Sequence, residues 1–171
     1  MTVRLALYGF GNVGRALARL LVATRAPFTV TALVTKRHGA VVYGGGIDLT
    51  TILAGTDLPH PGVGDATTHH AFEPGMPYEP PSPVGALPAD VLVEMTPLEP
   101  NTGEPALTYI REALSAGMHV VTANKGPIAR AYRELAALAK ERGRMLRFEA
   151  TLADCPRSLT MRARTGRAGP P

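Results

Sequence analysis

The chain has 171 residues, 45% of them hydrophobic, and a formal charge of +4. This is enough apolar material for one domain with a true core, which excludes a wholly disordered chain, and its apolar runs fall far short of the roughly 20 residues that span a bilayer. The charge is not spread as a nucleic-acid footprint would be: residues 1–155 hold 14 Lys/Arg and all 14 Asp/Glu, and the surplus is Arg157, Arg162, Arg164 and Arg167.

Val3-Arg4-Leu5-Ala6-Leu7-Tyr8 reads as a first strand that ends in a glycine turn. Residues 12–23 follow with Val13, Leu17, Leu20 and Leu21 at helical spacing. Residues 28–34, rich in β-branched side chains, read as a second strand. Strand, turn, helix and strand make a βαβ unit, which argues for a parallel sheet covered by helices. Gly44-Gly45-Gly46 reads as a loop, and residues 48–53 as a short helix. Residues 55–88, with Pro80-Pro81-Ser82-Pro83, read as a long surface excursion carrying one short strand.

Regularity returns at Asp90, where Asp90-Val91-Leu92-Val93-Glu94-Met95 reads as a strand. A helix is expected over residues 104–116, with Pro105 in its first turn and Gly117 just past its end. His119-Val120-Val121-Thr122 is the next strand, and residues 127–142 the longest helix, closed by Gly143. Its expected buried stripe is Ile128, Ala131, Tyr132, Leu135, Leu138 and Ala139. Residues 145–148 form a last strand. The alternation predicts a Rossmann-type, doubly wound α/β domain with a mostly parallel sheet flanked by helices. It covers residues 1–151, and residues 152–171 form a tail without clear period.

Gly9-Phe10-Gly11-Asn12-Val13-Gly14 fits G-x-G-x-x-G, after a strand and opening a helix. In that setting Gly9 allows the tight turn, Gly11 lets a pyrophosphate approach the backbone, and Gly14 lets helix and strand pack closely. The first-turn amides then face an anion. An NAD site usually carries Asp or Glu about 20 residues further on, to accept from the ribose 2′-hydroxyl. Here the second strand runs into Thr35-Lys36-Arg37-His38, and the next acid is Asp48. Cations there suit a 2′-phosphate, so NADP is favoured over NAD as the cofactor. The alternative is a solvated basic loop.

Ligands of open α/β sheets collect at the carboxyl ends of strands. Thr96-Pro97 emerges there, as does Thr122-Ala123-Asn124-Lys125-Gly126-Pro127. Lys125 could donate to a substrate oxygen or carry a proton there, and it could equally be an exposed lysine near a helix start. His69 and His70 are adjacent, so along a strand they point to opposite faces, and a metal site is not expected. Glu73 and Glu79 have no assignable geometry. The single cysteine, Cys155, allows no internal disulfide or cysteine zinc cluster. An N-terminus interrupted by Gly9, Gly11, Asn12 and Arg15 does not read as a signal peptide, so a cytoplasmic protein is expected.

Several of these segments together resemble the N-terminal, cofactor-binding part of the homoserine dehydrogenase family. They are the 9–14 turn, Asp90-Val91-Leu92-Val93-Glu94-Met95-Thr96-Pro97, Thr102-Gly103-Glu104-Pro105-Ala106, His119-Val120-Val121-Thr122-Ala123-Asn124-Lys125-Gly126-Pro127 and Phe148-Glu149-Ala150-Thr151. The resemblance implies NAD(P)-dependent interconversion of L-aspartate 4-semialdehyde and L-homoserine, a step towards threonine, methionine and isoleucine. It implies that Lys125 is the first-domain lysine at the hydride-transfer site, and that Thr96, Pro97, Ala123 and Asn124 border the cofactor. It also implies a second, catalytic and dimer-forming domain after the Glu-Ala-Thr strand. This chain stops twenty residues later, after Leu152-Ala153-Asp154-Cys155-Pro156 and an arginine-rich end. Residues 152–171 are therefore expected to be a remnant of that domain or sequence read in another frame. Self-association through an uncovered sheet edge or face is expected, with a monomer as the alternative. The partners expected are a dinucleotide and a small amino-acid substrate, with no nucleic acid and no membrane. Two functional classes remain open: an oxidoreductase, and a non-catalytic dinucleotide-binding or sensing domain. Another short dehydrogenase acting on an amino-acid derivative is a third reading.

Overall fold

The structure is a computed structural model that describes residues 2–36, 39–55 and 84–148, and the backbone of residues 68–70. Arg37, Glu73, Glu79, Cys155, the side chains of His69 and His70, and the tail 152–171 lie outside the described residues. In chain order the elements are β1 (Val3–Tyr8), α1 (Asn12–Thr24), β2 (Phe28–Thr35), β3 (Gly39–Val42), α2 (Leu49–Ala54) and β4 (Thr68–His70). A short 3-10 turn (Val84–Ala86) leads to β5 (Val91–Glu94), α3 (Ala106–Ser115), β6 (His119–Thr122), α4 (Lys125–Glu141) and β7 (Leu146–Arg147).

Period-two alternation in the strands builds two cores, one on each face of a single sheet. In β1, Ala6 and Tyr8 face α3 and α4, in a core with Leu92, Ile110, Leu114, Val120 and Leu135. Leu5 and Leu7 face the other way, towards Ala18 of α1 and Leu49 of α2. Helices on both faces make the sheet doubly wound. Among the described residues the strand order is β4-β3-β2-β1-β5-β6-β7. The five strands from β2 to β7 pair in parallel, and β3 and β4 add an antiparallel edge. From β1 the chain builds outward to β2, then returns to place β5 on the other side. The topological switch point therefore lies between β1 and β5.

Three local features depart from the pattern in the sequence. Gly39–Val42 is a strand: it turns back on β2, pairing Leu33 with Val41 and Thr35 with Gly39. Four small residues beside a glycine-rich loop carry little strand signal of their own, and cross-strand pairing supplies what propensity lacks. The longest helix starts at Lys125, two residues before Pro127, because Asn124 caps it: the Asn124 side-chain oxygen accepts from the Gly126 amide at 3.1 Å. Within that helix Ala131 departs from helical geometry (φ −136°, ψ 23°). Leu135 and Ala139 are buried as the stripe requires, whereas Tyr132 is 47% exposed, its ring meeting Phe148 edge-on at 5.4 Å. On α1 the buried contacts are Gly14 and Ala18, with Leu17 and Leu21 packed beside them, while Val13 and Leu20 face outward. No helix among the described residues is long and apolar enough to cross a membrane.

Candidate functional site

The switch point brings the glycine turn against the end of β5. Gly9 has φ +92°, a left-handed conformation, and a Cβ there would lie 2.4 Å from the Met95 carbonyl oxygen. The Met95 amide in turn donates to the Tyr8 carbonyl at 2.7 Å. The turn is tied to the other neighbour as well, because the Gly9 amide donates to the Val34 carbonyl of β2 at 2.8 Å. Gly14 serves packing: a Cβ on it would meet the Gly9 carbonyl oxygen at 2.6 Å. Gly11 differs from both. Nothing lies within 4 Å of where its Cβ would be, and its φ is −80°. Its glycine identity answers to no contact within the described chain; it leaves open space over the turn.

The helix that opens there is prepared for an anion. Gly11 is the N-cap of α1 and offers no side chain to the first amides, and the first turn holds no acid. Of the other three helices among the described residues, α3 opens at Pro105 with the Glu104 carboxylate accepting from the Thr108 amide at 2.9 Å, and α2 and α4 carry side-chain caps. Asp48 accepts from Thr50 at the head of α2, and Asn124 caps α4. Free first-turn amides beside an open glycine, at a switch point, fit a dinucleotide pyrophosphate. Phe10 is half-buried under the Arg15 guanidinium, which stands 5.3 Å from its ring centre, while Asn12 and Val13 are exposed at the helix start.

The other expected residues fall around this turn. Thr35 is buried at the end of β2, its hydroxyl donating to the Gly39 carbonyl at 3.1 Å, and Lys36 beyond it is exposed. Both follow the strand to which Gly9 is tied. Arg37 lies outside the described residues. On the other side β5 and β6 run parallel to β1, so their carboxyl ends stand in a row with the turn. With strands about 4.8 Å apart, the β6 end lies roughly 10 Å along the sheet from that of β1. Pro97 is exposed, Thr96 and Ala123 are half-buried, Asn124 is buried, and Lys125 is exposed as the first residue of α4.

A hydrogen-bonded ring joins these two strand ends. Glu94, the last residue of β5, is fully buried. Its Oε1 accepts from the Thr96 amide at 2.7 Å and from the Thr96 hydroxyl at 2.5 Å. Its Oε2 accepts from the Thr122 hydroxyl at 2.6 Å, and Thr122 Oγ1 accepts from the Asn124 amide at 2.9 Å. Asn124 closes the circuit, its Nδ2 donating to the carbonyls of Thr96 (3.3 Å) and Pro97 (3.4 Å). Burying a carboxyl group is costly unless donors replace its water, and here three donors do so. Behind it Tyr8 and Tyr109 pack edge to face at 4.9 Å. The Tyr109 phenol is pushed up by burial first, then by the negative charges of Glu112, Glu94 and Glu104. Sequence reasoning singled out Thr96 and Asn124 but not Glu94 or Thr122. The available signal was an acid closing an otherwise apolar strand.

A second buttress stands behind Pro97. Glu99 accepts from the amides of Asn101 (3.0 Å), Thr102 and Gly103 (3.2 Å), and from the Thr102 hydroxyl. Those bonds, the Thr102 hydroxyl first, hold its carboxyl at about 2. This loop packs on the head of α4: a Cβ on Gly126 would lie 2.9 Å from the Glu99 carbonyl oxygen.

The family described as "Homoserine dehydrogenase, NAD binding domain" matches residues 9–149. The homoserine dehydrogenase of Methanocaldococcus jannaschii is 33% identical over 153 residues, covering 85% of this chain and 44% of that protein. The NAD(+)-dependent homoserine dehydrogenase of Pseudomonas canavaninivorans is 35% identical over 147 residues, covering 80% of this chain and 40% of that protein. A hyperthermophilic archaeal homoserine dehydrogenase, solved in complex with NADPH, superposes with a TM-score of 0.66 at 28% identity, covering 88% of this chain and 44% of that one. The chain thus spans less than half the length of the curated relatives it matches.

Proposed function

This chain belongs to the homoserine dehydrogenase NAD-binding family, and from that premise we propose that it binds a nicotinamide dinucleotide, NADP in preference to NAD, at the β1–β5 switch point. The observation that carries this reading is the head of α1, with uncapped first-turn amides beside a glycine open to the outside. Gly9, Phe10, Gly11, Asn12, Val13 and Gly14 would cradle the pyrophosphate, the helix dipole favouring its charge. Thr35, Lys36 and Arg37 would receive the adenosine ribose and its 2′-phosphate, since no acid stands there to accept from a free 2′-hydroxyl. Thr96, Pro97, Ala123 and Asn124 would border the nicotinamide end.

In the intact reaction of the family the dinucleotide supplies or takes up the hydride, exchanged with the C4 carbon of L-aspartate 4-semialdehyde or L-homoserine. Lys125 would serve that exchange by donating to the substrate oxygen. In the reducing direction charge develops on that oxygen, and a fixed cation stabilises it most where charge is greatest. Orienting such a substrate also requires groups for its amine and carboxylate. A second reading is dinucleotide binding without turnover.

Titrating purified protein with NADPH and NADH, followed by nicotinamide fluorescence, tests the binding. NADPH is expected to bind about tenfold or more tighter, and Lys36→Ala with Arg37→Ala to abolish that preference. Absence of binding by either dinucleotide would refute the site, and tighter NADH binding would refute the phosphate clamp. An assay with homoserine and NADP separates the two readings: turnover lost in Lys125→Ala supports the oxidoreductase, and no turnover alongside tight binding supports the binding domain.

A further inference from the structure

An acid precedes β5 and another ends it, and the two do different things. Asp90 at its amino end is 40% exposed in its side chain and clamps Arg4 of β1. Glu94 at its carboxyl end is buried, and its carboxylate accepts from crevice loops: from Thr96 after β5, and from Thr122 at the end of β6. We infer that Glu94 is a positioning residue, a buried carboxylate that locks the loops leaving β5 and β6 into one platform and so fixes where Asn124 and Lys125 stand. What this does for ligand binding rests on the dinucleotide reading above; the platform itself rests on geometry alone.

The donor arithmetic explains why a carboxylate occupies this place. Three hydrogens converge on two oxygens: the Thr96 amide and hydroxyl on Oε1, the Thr122 hydroxyl on Oε2. The Thr122 hydroxyl points its hydrogen at Glu94 and is thereby left with lone pairs for the Asn124 amide. That amide belongs to the N-cap of α4, whose side chain reaches back to Thr96 and forward to Gly126. The orientation of Glu94 is thus passed through Thr122 to the cap and so to Lys125, the next residue. An amide does not reproduce this pattern. A glutamine oxygen turned to Thr96 would present its NH2 to Thr122, reversing that bond and leaving the buried Thr122 hydrogen without the acceptor it has in Glu94. The β6 side of the ring would open while the β5 side held.

The test compares wild type with Glu94→Gln and with Thr122→Val, which cuts the same link from the other side and keeps the buried carboxylate. Amide exchange followed by NMR reads the platform, and NADPH titration reads its consequence, both well below the melting temperature of each variant. In each single variant the amides of Asn124 and Gly126 are expected to exchange at least tenfold faster, while those of Leu7 in β1 and Ile110 in α3 keep their rates. NADPH dissociation constants should rise at least tenfold, and the double variant should add less than twofold more. Unchanged exchange at Asn124 and Gly126, or a rise shared equally by Leu7 and Ile110, would overturn the inference by making Glu94 inert or merely structural. Faster local exchange with unchanged NADPH affinity would overturn it as well. If wild type binds neither dinucleotide, the proposed function falls, and the exchange comparison alone decides for or against the platform.

Discussion

Three glycines of one turn answer to three separate demands, and substitution separates them. Gly9 combines a φ of +92° with the Met95 carbonyl 2.4 Å from any Cβ, so Gly9→Ala must both strain the backbone and push β5 away. Strain of this kind costs about 1–3 kcal/mol, which for a domain near 150 residues lowers the melting temperature by roughly 2–12 °C. Gly11 has neither problem, since its φ is ordinary and its Cβ position is empty. Gly11→Ala should therefore give up only the N-cap preference for glycine, roughly 1 kcal/mol or less and at most about 4 °C in melting temperature, while the added methyl intrudes where a pyrophosphate must touch backbone. NADPH affinity is expected to fall about tenfold or more. Calorimetry and fluorescence titration on the same two variants check both halves. Unimpaired binding by Gly11→Ala would remove the reason for a glycine there.

At the scale of elements, the head of α4 is where fold and site are hardest to separate. Asn124 is 4% exposed; its oxygen caps the helix and its Nδ2 holds the Thr96 and Pro97 carbonyls. Losing a cap costs about 1 kcal/mol, so Asn124→Ala should destabilise by that much or more. In an isolated helix aspartate caps as well as asparagine. Here an aspartate would aim a buried oxygen at two carbonyl oxygens, so Asn124→Asp is expected to be no more stable than Asn124→Ala, read from urea midpoints at pH 7. Most of the framework around this helix was legible beforehand. Local periodicity and a Pro or Gly at each end declare α1, β5, α3, β6 and α4, and a glycine turn after a strand declares the site. What escaped was whatever two distant segments make together. β3 exists because Gly39–Val42 finds Ala32–Thr35. Tyr132 leaves the apolar stripe where the backbone departs from helical geometry at Ala131. Glu94 matters because two loops 28 residues apart converge on it, and a residue's type does not announce which loop it will meet.

For the whole molecule, acidic residues set the response to pH. Arg4 holds Asp90 through paired side-chain bonds and its own amide, keeping that carboxyl at about 2 and fastening the amino ends of β1 and β5. Glu99 is held at about 2 by the Thr102 hydroxyl and neighbouring amides. Asp48, bonded to the Thr50 and Thr51 hydroxyls, and Glu134, bonded to Arg111, are lowered too. Each carboxyl titrates lower when folded than when unfolded, where ordinary values lie near about 4. The unfolded chain therefore takes up protons first as pH falls. The stability these groups contribute is fully present above about pH 5 and is lost between about pH 4 and pH 2. All four are largely solvent-facing, so each contribution is small and screened by salt. Melting temperature should accordingly be level between pH 7 and pH 5 with respect to these groups and decline modestly below about pH 4. Asp90→Asn should melt lower at pH 7 and lose less than wild type on going from pH 4 to pH 2.5, because the carboxylate that acid would neutralise is already gone. Parallel melting curves for the two proteins across that range would remove the Arg4–Asp90 clamp from the account. They would leave the acid response to the loop carboxyl of Glu99 and the helix-bound pair of Asp48 and Glu134.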